Sequence, residues 1–286
     1  MSKKKNILIT GGVGFVGTNL AEKLLSQGHN VISIDDYSFG KKENELEGVH
    51  YINDDITNIS SISESIDICY HLAAKARVQP SFEDPVDYFR VNVKGTMKVM
   101  DWAKKNNVKV VYAGSSSRHF SPEDSPYAMY KFLGEQLCRL YKKSYDLKVE
   151  IARFYNVYGP RENRDEKFGN VIGIWTTKAL KGDPLPIVGD GMQRRDFTHV
   201  HDIVDGLVKI GFSEISQEDG WELGTGNNYS INELFEMFRL RFGTKSKFIP
   251  DQPGNYKKTL RKNDNLLELL DWKPKDQLAN HIKNLS

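Results

Sequence analysis

The feature that most constrains this chain is an alternation in which short, β-branched apolar runs take turns with longer stretches whose apolar residues recur at helical spacing. That rhythm specifies parallel βαβ units and, through the right-handed crossover rule, a doubly wound sheet whose strand carboxyl ends open on one crevice. Asn6–Thr10, Val31–Asp35, Val49–Ile52, Ile66–Leu72, Val108–Ala113 and Val149–Phe154 read as strands. Helical pattern fills Thr18–Gln27, with Leu20, Leu24 and Leu25 on one face and Gly28 as the stop, and recurs near 85–105 and 127–145. Beyond residue 155, Gly-Pro, Gly-Asp-Pro, Gly-Asp-Gly and Gly-Thr-Gly-Asn punctuation shortens the elements, with helical pattern at 167–181, 201–212, 231–242 and 264–270. The expectation is an α/β Rossmann domain over 1–155 and a smaller, mixed, mostly helical lobe over 156–286, with the chain free to cross back between them.

Composition narrows the partners. Among 286 residues, 40 Lys+Arg face 38 Asp+Glu, and a formal charge of +2 gives no reason to expect nucleic acid or an anionic membrane. The basic start Ser2-Lys3-Lys4-Lys5 leads into only Ile7-Leu8-Ile9 before the glycines, too short for a signal sequence or a membrane span. Cys69 and Cys138 are the only thiols, which argues against a disulfide framework and a cysteine zinc site and fits a reducing cytoplasm. Cys69 lies in an apolar strand and reads as core, and His199 and His201 have no acidic or cysteine cluster beside them, so no metal is expected.

Two constellations carry chemistry. Gly11, Gly14 and Gly17 stand at three-residue spacing between a strand and a helix, and Asp35 closes the next strand 18 residues beyond Gly17. Glycines there permit a tight turn and close approach of a pyrophosphate to the helix N-terminus. An acidic residue at that strand end bonds the adenosine ribose hydroxyls and repels a 2′-phosphate, which favours NAD over NADP. Asp36 competes with Asp35 for this role, and position favours Asp35. The second constellation joins the serines 115–117, just after the fifth strand, to Tyr127 and Lys131 at the start of the next helix. Spaced i and i+4, the ammonium is expected to lie beside the phenol and lower its pKa, so that the tyrosine accepts a proton from an alcohol as hydride leaves the carbon.

With these motifs together, the chain resembles the extended short-chain dehydrogenase/reductases, the NAD-dependent nucleotide-sugar epimerase and dehydratase family. The resemblance implies that Gly11, Gly14, Phe15, Val16 and Gly17 form the cofactor turn, and that Asp55 and Ile56 in Asp54-Asp-Ile meet the adenine. It implies further that Leu72, Ala73 and Ala74 in His71-Leu-Ala-Ala, together with Asn92 and Phe154, border the cofactor. Ser116, Tyr127 and Lys131 match the catalytic set, the last two touching cofactor as well. On the substrate side the family pattern selects Ser117, Asn156 in Arg153-Phe-Tyr-Asn-Val-Tyr-Gly-Pro, Asn170, Val171, Val188, Thr259, and Arg195 before Asp-Phe, whose cationic fork suits a phosphate. A homodimer through the helices near 85–105 and 127–145 is also implied. His119 follows the serine cluster but reads as an exposed loop residue.

The resemblance also discriminates among reactions. Relatives that dehydrate or decarboxylate carry acidic groups immediately after the catalytic serine or threonine, where this chain has Ser117 and Arg118. The Cys and His pair of GDP-fucose synthases has no counterpart in the serine loop. What remains is inversion at C4 through a 4-keto sugar, on a UDP-hexose, UDP-N-acetylhexosamine or UDP-hexuronic acid. The alternatives are another reaction on the same scaffold, a dehydratase, decarboxylase or ketoreductase, or a non-catalytic NAD-binding protein. Three departures stand out: the step from Ser116 to Tyr127 is only 11 residues, Gln252 replaces a phosphate-binding Arg common in UDP-sugar epimerases, and Lys262 replaces a common Asp. Thr259 falls where residue bulk gates N-acetyl sugars, and its small side chain is expected to admit a 2-acetamido group.

Overall fold

The computed structural model describes residues 4–286, so Ser2 and Lys3 of the basic start lie outside the described residues. Six strands stand close to their expected places: β1 (Asn6–Thr10), β2 (Asn30–Asp35), β3 (Val49–Asn53), β4 (Ile68–His71), β5 (Lys109–Ser115) and β6 (Val149–Phe154). Between and after them run α1 (Phe15–Ser26), α2 (Val78–Glu83), α3 (Pro85–Phe89), α4 (Thr96–Asn106) and α5 (Pro126–Tyr145). The stretch expected as one helix near 85–105 is α3 and α4 joined by a π-helical segment, Arg90–Gly95. The later elements are β7 (Asn156–Tyr158), α6 (Val171–Lys181), β8 (Leu185–Val188), β9 (Arg194–Arg195), β10 (Phe197–His199) and α7 (Val200–Phe212). They continue through β11 (Trp221–Leu223), β12 (Tyr229–Ser230), α8 (Ile231–Phe242), β13 (Ser246–Ile249), α9 (Asn265–Leu270) and α10 (Leu278–Lys283).

The central sheet has the order β11-β6-β5-β4-β1-β2-β3, and all of its pairings are parallel. Chain direction across the sheet reverses between β1 and β4, which is where a doubly wound sheet opens its crevice. The seventh strand, β11, has no sequence signature, because three residues are too few to display an alternation. With α7 it brings chain from beyond residue 156 back to the sheet: Ile203, Val204, Leu207, Ile210 and Trp221 share one buried cluster with Ile7, Ile9, Leu20 and Leu24. The opposite face is covered by α4 and α5 through Val99, Met100, Trp102 and Cys138 against Leu8, Cys69 and Val110. A separate cluster of Trp175, Leu185, Phe197, Leu234, Phe238 and Ile282 holds α6, α8 and α10 with the paired short strands. Local signals end the elements where physics requires: Gly28 at φ +82° after α1, and a Ser230–Glu233 capping box at the start of α8.

Candidate active site

Between β1 and β4 the strand ends part, and a cleft of about 890 Å³ opens there. Gly11 sits at φ +77°, and a Cβ on it would lie 2.9 Å from the backbone of Ala73. One on Gly17 would fall on the Gly11 carbonyl oxygen and 2.8 Å from Gly12 Cα. Glycine at both places is therefore what lets α1 and the chain after β4 close on the turn. Behind Gly14, α1 begins with no side-chain cap, leaving the first-turn amides of Phe15, Val16 and Gly17 for an anion at the cleft. Asp35 is buried at the end of β2 and accepts N–H groups of Tyr37 at 2.9 Å and Val13 at 3.1 Å. Burial raises its pKa, with the two amides opposing. Asp36 lines the same wall but accepts from Ser38, so Asp35 is the better placed of the two.

Asp55, Ile56, Leu72, Ala73, Ala74 and Phe154 all line this end of the cleft. Burial works to raise the Asp55 pKa, but the Thr57 N–H at 2.8 Å and the Arg90 guanidinium outweigh it and hold the carboxyl low. At the parting itself Thr10 Oγ1 accepts the Ala73 N–H at 3.1 Å and meets His71 Nδ1 at 2.8 Å. Burial lowers the His71 pKa to about 3, so that ring is neutral. Asn92 does not line the cleft: its side chain accepts from Lys75 N–H at 2.8 Å and donates to Lys75 O at 2.9 Å, clamping the chain that follows β4. The glycine cradle, the uncapped helix start and the buried carboxylate together fit a dinucleotide without a 2′-phosphate.

The chemistry-bearing wall is the start of α5. Ser125 caps it by accepting the Ala128 N–H at 3.1 Å, and Pro126 occupies its first position, which fixes where Tyr127 and Lys131 emerge. Both line the cleft, and the Tyr127 N–H is tied to Ser81 Oγ at 3.1 Å. Lys131 Nζ donates to Ala113 O at 2.9 Å and lies 5.2 Å from the centre of the Tyr112 ring. Burial pulls its pKa down to about 8, with Glu135 opposing. The expected lowering of the phenol by Lys131 is corrected here: burial raises the Tyr127 pKa, and the groups pulling it down are Ser115, by hydrogen bond, and Arg77, by charge. β5 continues two residues past Ala113 and ends on Ser115, which makes Ser115 the serine whose hydrogen bonding pulls the phenol's pKa down. Ser116 and Ser117 line the cleft beside it, and Ser115 Oγ accepts the Ser117 N–H at 3.2 Å. His119 points elsewhere, with Nε2 3.0 Å from Glu222 Oε1.

Beyond Tyr127 the cleft enters the second lobe. Asn156 Nδ2 donates to Asp196 O and Thr259 Oγ1, both at 3.2 Å, and all but Asp196 line the cleft. Arg195 donates to Tyr256 O at 2.6 Å and Asn255 Oδ1 at 2.5 Å, and has no carboxylate partner among the described residues. Burial lowers its pKa to about 10, leaving a cation aimed at the cavity. Val171 and Val188 line the cleft, as does Gln252. Asn170 instead caps α6, accepting the Gly173 N–H at 2.6 Å and donating to Val157 O and Glu162 Oε2, and borders an adjoining cavity of about 250 Å³. Sequence reasoning missed Asn255 and Tyr256, which hold Arg195, and Arg77, whose only signal was a basic residue six positions after His71. The acidic residues on the cleft are Asp35, Asp36 and Asp55 at the dinucleotide end and Glu83 and Glu166, which pair with Lys167 and Lys178.

Such a site, on such a sheet, defines a dinucleotide-dependent enzyme of the short-chain dehydrogenase type. The family model described as the NAD dependent epimerase/dehydratase family matches residues 7–218, and the chain belongs to that family, whose cofactor is NAD. It is 31% identical over 301 residues to a UDP-glucose 4-epimerase of Mycolicibacterium smegmatis, covering 96% of this chain and 95% of that one. It is 29% identical over 296 residues to UDP-glucuronic acid decarboxylase 1 of Danio rerio, covering 95% of this chain and 69% of that one. A UDP-glucuronic acid 4-epimerase from Bacillus cereus, solved with UDP-glucuronic acid and NAD, superposes with a TM-score of 0.90 at 28% identity, covering 98% of this chain and 97% of that one. No described helix is long and apolar enough to cross a membrane.

Proposed function

We propose that the protein inverts C4 of a nucleotide-activated sugar through a transient 4-keto intermediate. The observation that carries this reading is the acid–base inventory around Tyr127. Among the described residues no unpaired carboxylate lines the cleft away from the dinucleotide end: Glu83 and Glu166 are paired with lysines, and the other titratable side chains there are phenols, Tyr127 among them, and basic groups. Elimination of water or handling of a substrate carboxylate during decarboxylation needs a further acid or base, whereas C4 inversion needs one group that takes and returns a single proton. The relatedness to UDP-sugar 4-epimerases supports the same reading, and the relatedness to a decarboxylase makes that reaction the alternative.

Gly11, Gly14, Phe15, Val16, Gly17, Asp35, Asp55 and Ile56 would hold NAD at one end, with Leu72 to Ala74 and Phe154 along its side. When bound, NAD supplies the reversible hydride acceptor that oxidation at C4 requires. Tyr127 takes the proton from the O4 hydroxyl and returns it after the keto sugar has turned its other face. Ser115 holds the phenol and O4 in one hydrogen-bonded line, and Lys131, kept charged by Glu135, supplies positive charge along the same wall. Asn156 orients the sugar, Arg195 receives the diphosphate, and Asn170, Val171 and Val188 form the nucleotide end. Thr259, small and at the cleft wall, leaves room for a 2-acetamido group. The apolar surface of Val86, Phe89 and Met97 on α3 and α4, with Leu140 on α5, supports a homodimer through these helices.

The test is proton NMR of the purified protein with UDP-glucose, UDP-N-acetylglucosamine and UDP-glucuronic acid in turn, without added NAD. Anomeric signals of the 4-epimer with the natural chain, absent with Tyr127→Phe, are expected. Release of carbon dioxide or of a 4-keto-6-deoxy sugar would support the alternative, and no turnover would contradict both.

A further inference from the structure

Arg77 is the one basic side chain on the main cleft and the adjoining cavity with neither a role at the site described nor a carboxylate partner among the described residues, since Lys75 pairs with Asp87 and Lys167 and Lys178 with Glu83 and Glu166. It stands in the turn between β4 and α2, and its only side-chain hydrogen bond among the described residues is from Nε to Phe168 O at 2.7 Å. Neither terminal nitrogen has a hydrogen-bond partner, and no carboxylate lies within ion-pairing distance, among the described residues. A guanidinium carries five donors in a planar fork, so four of them here point at nothing the protein provides. The nearest buried acid, Glu162, is occupied by the Asn170 amide at 2.8 Å and lines neither cavity.

The position of this fork on the sugar follows from two ties. Ser81 donates to Val78 O at 2.6 Å and accepts the Tyr127 N–H at 3.1 Å, which fixes the residue after Arg77 against the start of α5. Arg77 is also close enough for its charge to act on the Tyr127 phenol. The phenol marks C4 of the sugar. In a pyranose the diphosphate at C1 lies across the ring from C4, where Arg195 waits, while the C5 substituent is next to C4. Among hexoses, N-acetylhexosamines and hexuronic acids the one anionic group on a ring carbon next to C4 is the C5 carboxylate of the uronic acid, which matches an unpaired guanidinium on the Tyr127 side of the cleft; Arg77 also borders the adjoining cavity with Arg195, so the diphosphate is the competing partner.

We infer that Arg77 is the receptor for a carboxylate on C5, and that the preferred sugars of this enzyme are hexuronic acids. This rests on the C4 reading of the cleft and names the substrate class within it. The planar fork and a carboxylate are matched for two parallel hydrogen bonds, which a hydroxymethyl group cannot accept in the same way. Without a carboxylate, binding a neutral hexose leaves the guanidinium partly desolvated and unpaired, so selectivity comes from both sides of the comparison.

The experiment compares UDP-glucuronic acid with UDP-glucose on the NAD-loaded natural chain, R77M and R77K, reading kcat/KM and, by calorimetry, Kd. The expected result is a preference for the uronate in the natural chain that falls by about ten- to hundredfold in R77M, the range of one charge-assisted pair. R77K keeps a positive charge near the phenol but lacks the fork, and is expected between the two. Equal losses for both sugars in R77M would overturn the inference by assigning Arg77 to the diphosphate or to the phenol alone. A natural chain that fails to bind UDP-glucuronic acid, or binds it more weakly than UDP-glucose, would also overturn it. Turnover of neither sugar, with the Kd preference present and lost in R77M, would instead sustain the carboxylate site and contradict the epimerase reading. R77K guards against a fold defect, since a misfolded R77M loses NAD while R77K retains it.

Discussion

Replacing Glu135 by Gln tests the electrostatics beneath the catalytic wall. Arg153 is wholly buried, with Nε 2.9 Å from Glu135 Oε1, one terminal nitrogen 2.9 Å from Glu135 Oε2 and the other 2.8 Å from Glu222 Oε1. Glu135 is equally buried and among the described residues otherwise meets only Arg118, at 3.5 Å. E135Q preserves the side-chain shape and removes one of the two buried carboxylates that neutralise this guanidinium, whose third carboxylate contact is the exposed Asp219 at 3.5 Å. Breaking such a pair costs roughly 3–5 kcal/mol, and because Glu222 remains we expect about 3. For a chain of this size each kcal/mol moves the melting point by roughly 2–4 °C, so calorimetry of the NAD-loaded protein should show a fall of about 6–12 °C. A cycle of E135L, R153L and the double variant should give a double cost smaller than the sum by about 1–3 kcal/mol, since neither Glu135 nor Arg153 is left facing the other's absence, while the loss of Arg153 from Glu222 is common to R153L and the double variant. A melting point within about 2 °C of the natural chain, or strictly additive costs, would refute the claim that this pair is electrostatically coupled.

The same substitution reaches the chemistry. Burial holds Lys131 near 8 and Glu135 opposes that fall, so activity that needs the ammonium declines as pH rises through about 8, and in E135Q the decline should begin at lower pH; an unshifted kcat profile would contradict this. Gly17→Ala should release NAD during purification, because its Cβ meets the backbone of Gly11 and Gly12; cofactor retained at the natural stoichiometry would count against the cradle. Glu162 is pushed up to about 7 by burial, above its ordinary 4.5, so the stability it contributes is complete below 4.5 and lost as pH rises through 7. Glu162→Gln, which still accepts from Asn170, should therefore raise the melting point at pH 8 and not at pH 4, whereas the same offset at both would dismiss the buried charge.

How much was legible before the structure depended on the length of the signal. β1 and β6 fall where their apolar residues lie, because Ile7, Leu8 and Ile9 in one and Val149, Ile151 and Ala152 in the other bury within a parallel sheet. The dinucleotide end was readable for the same reason: Gly11, Gly17 and Asp35 are local in sequence, and each is required by backbone geometry or charge at one strand end. The fifth strand was read as stopping at Ala113, two residues short of its end, and a run of three serines gives no internal mark of which one the strand end directs at Tyr127. Asn92 carried a family role, yet the π-helical segment around it turns its amide to the Lys75 backbone. The partners of Glu222, Arg153 and Arg77 could not be read, since they are brought together only by the packing of β11 and α5 and by the turn after β4.

The central claim is that one proton and one hydride leave and return at C4. The measurement that tests it most directly is mass spectrometry and NMR of the product from a nucleotide sugar deuterated at C4, incubated with the natural chain in ordinary water. The account expects the 4-epimer to keep its deuterium at C4, with none lost to solvent and no solvent hydrogen entering elsewhere on the ring. Loss of the label, or exchange at C3 or C5, would contradict it.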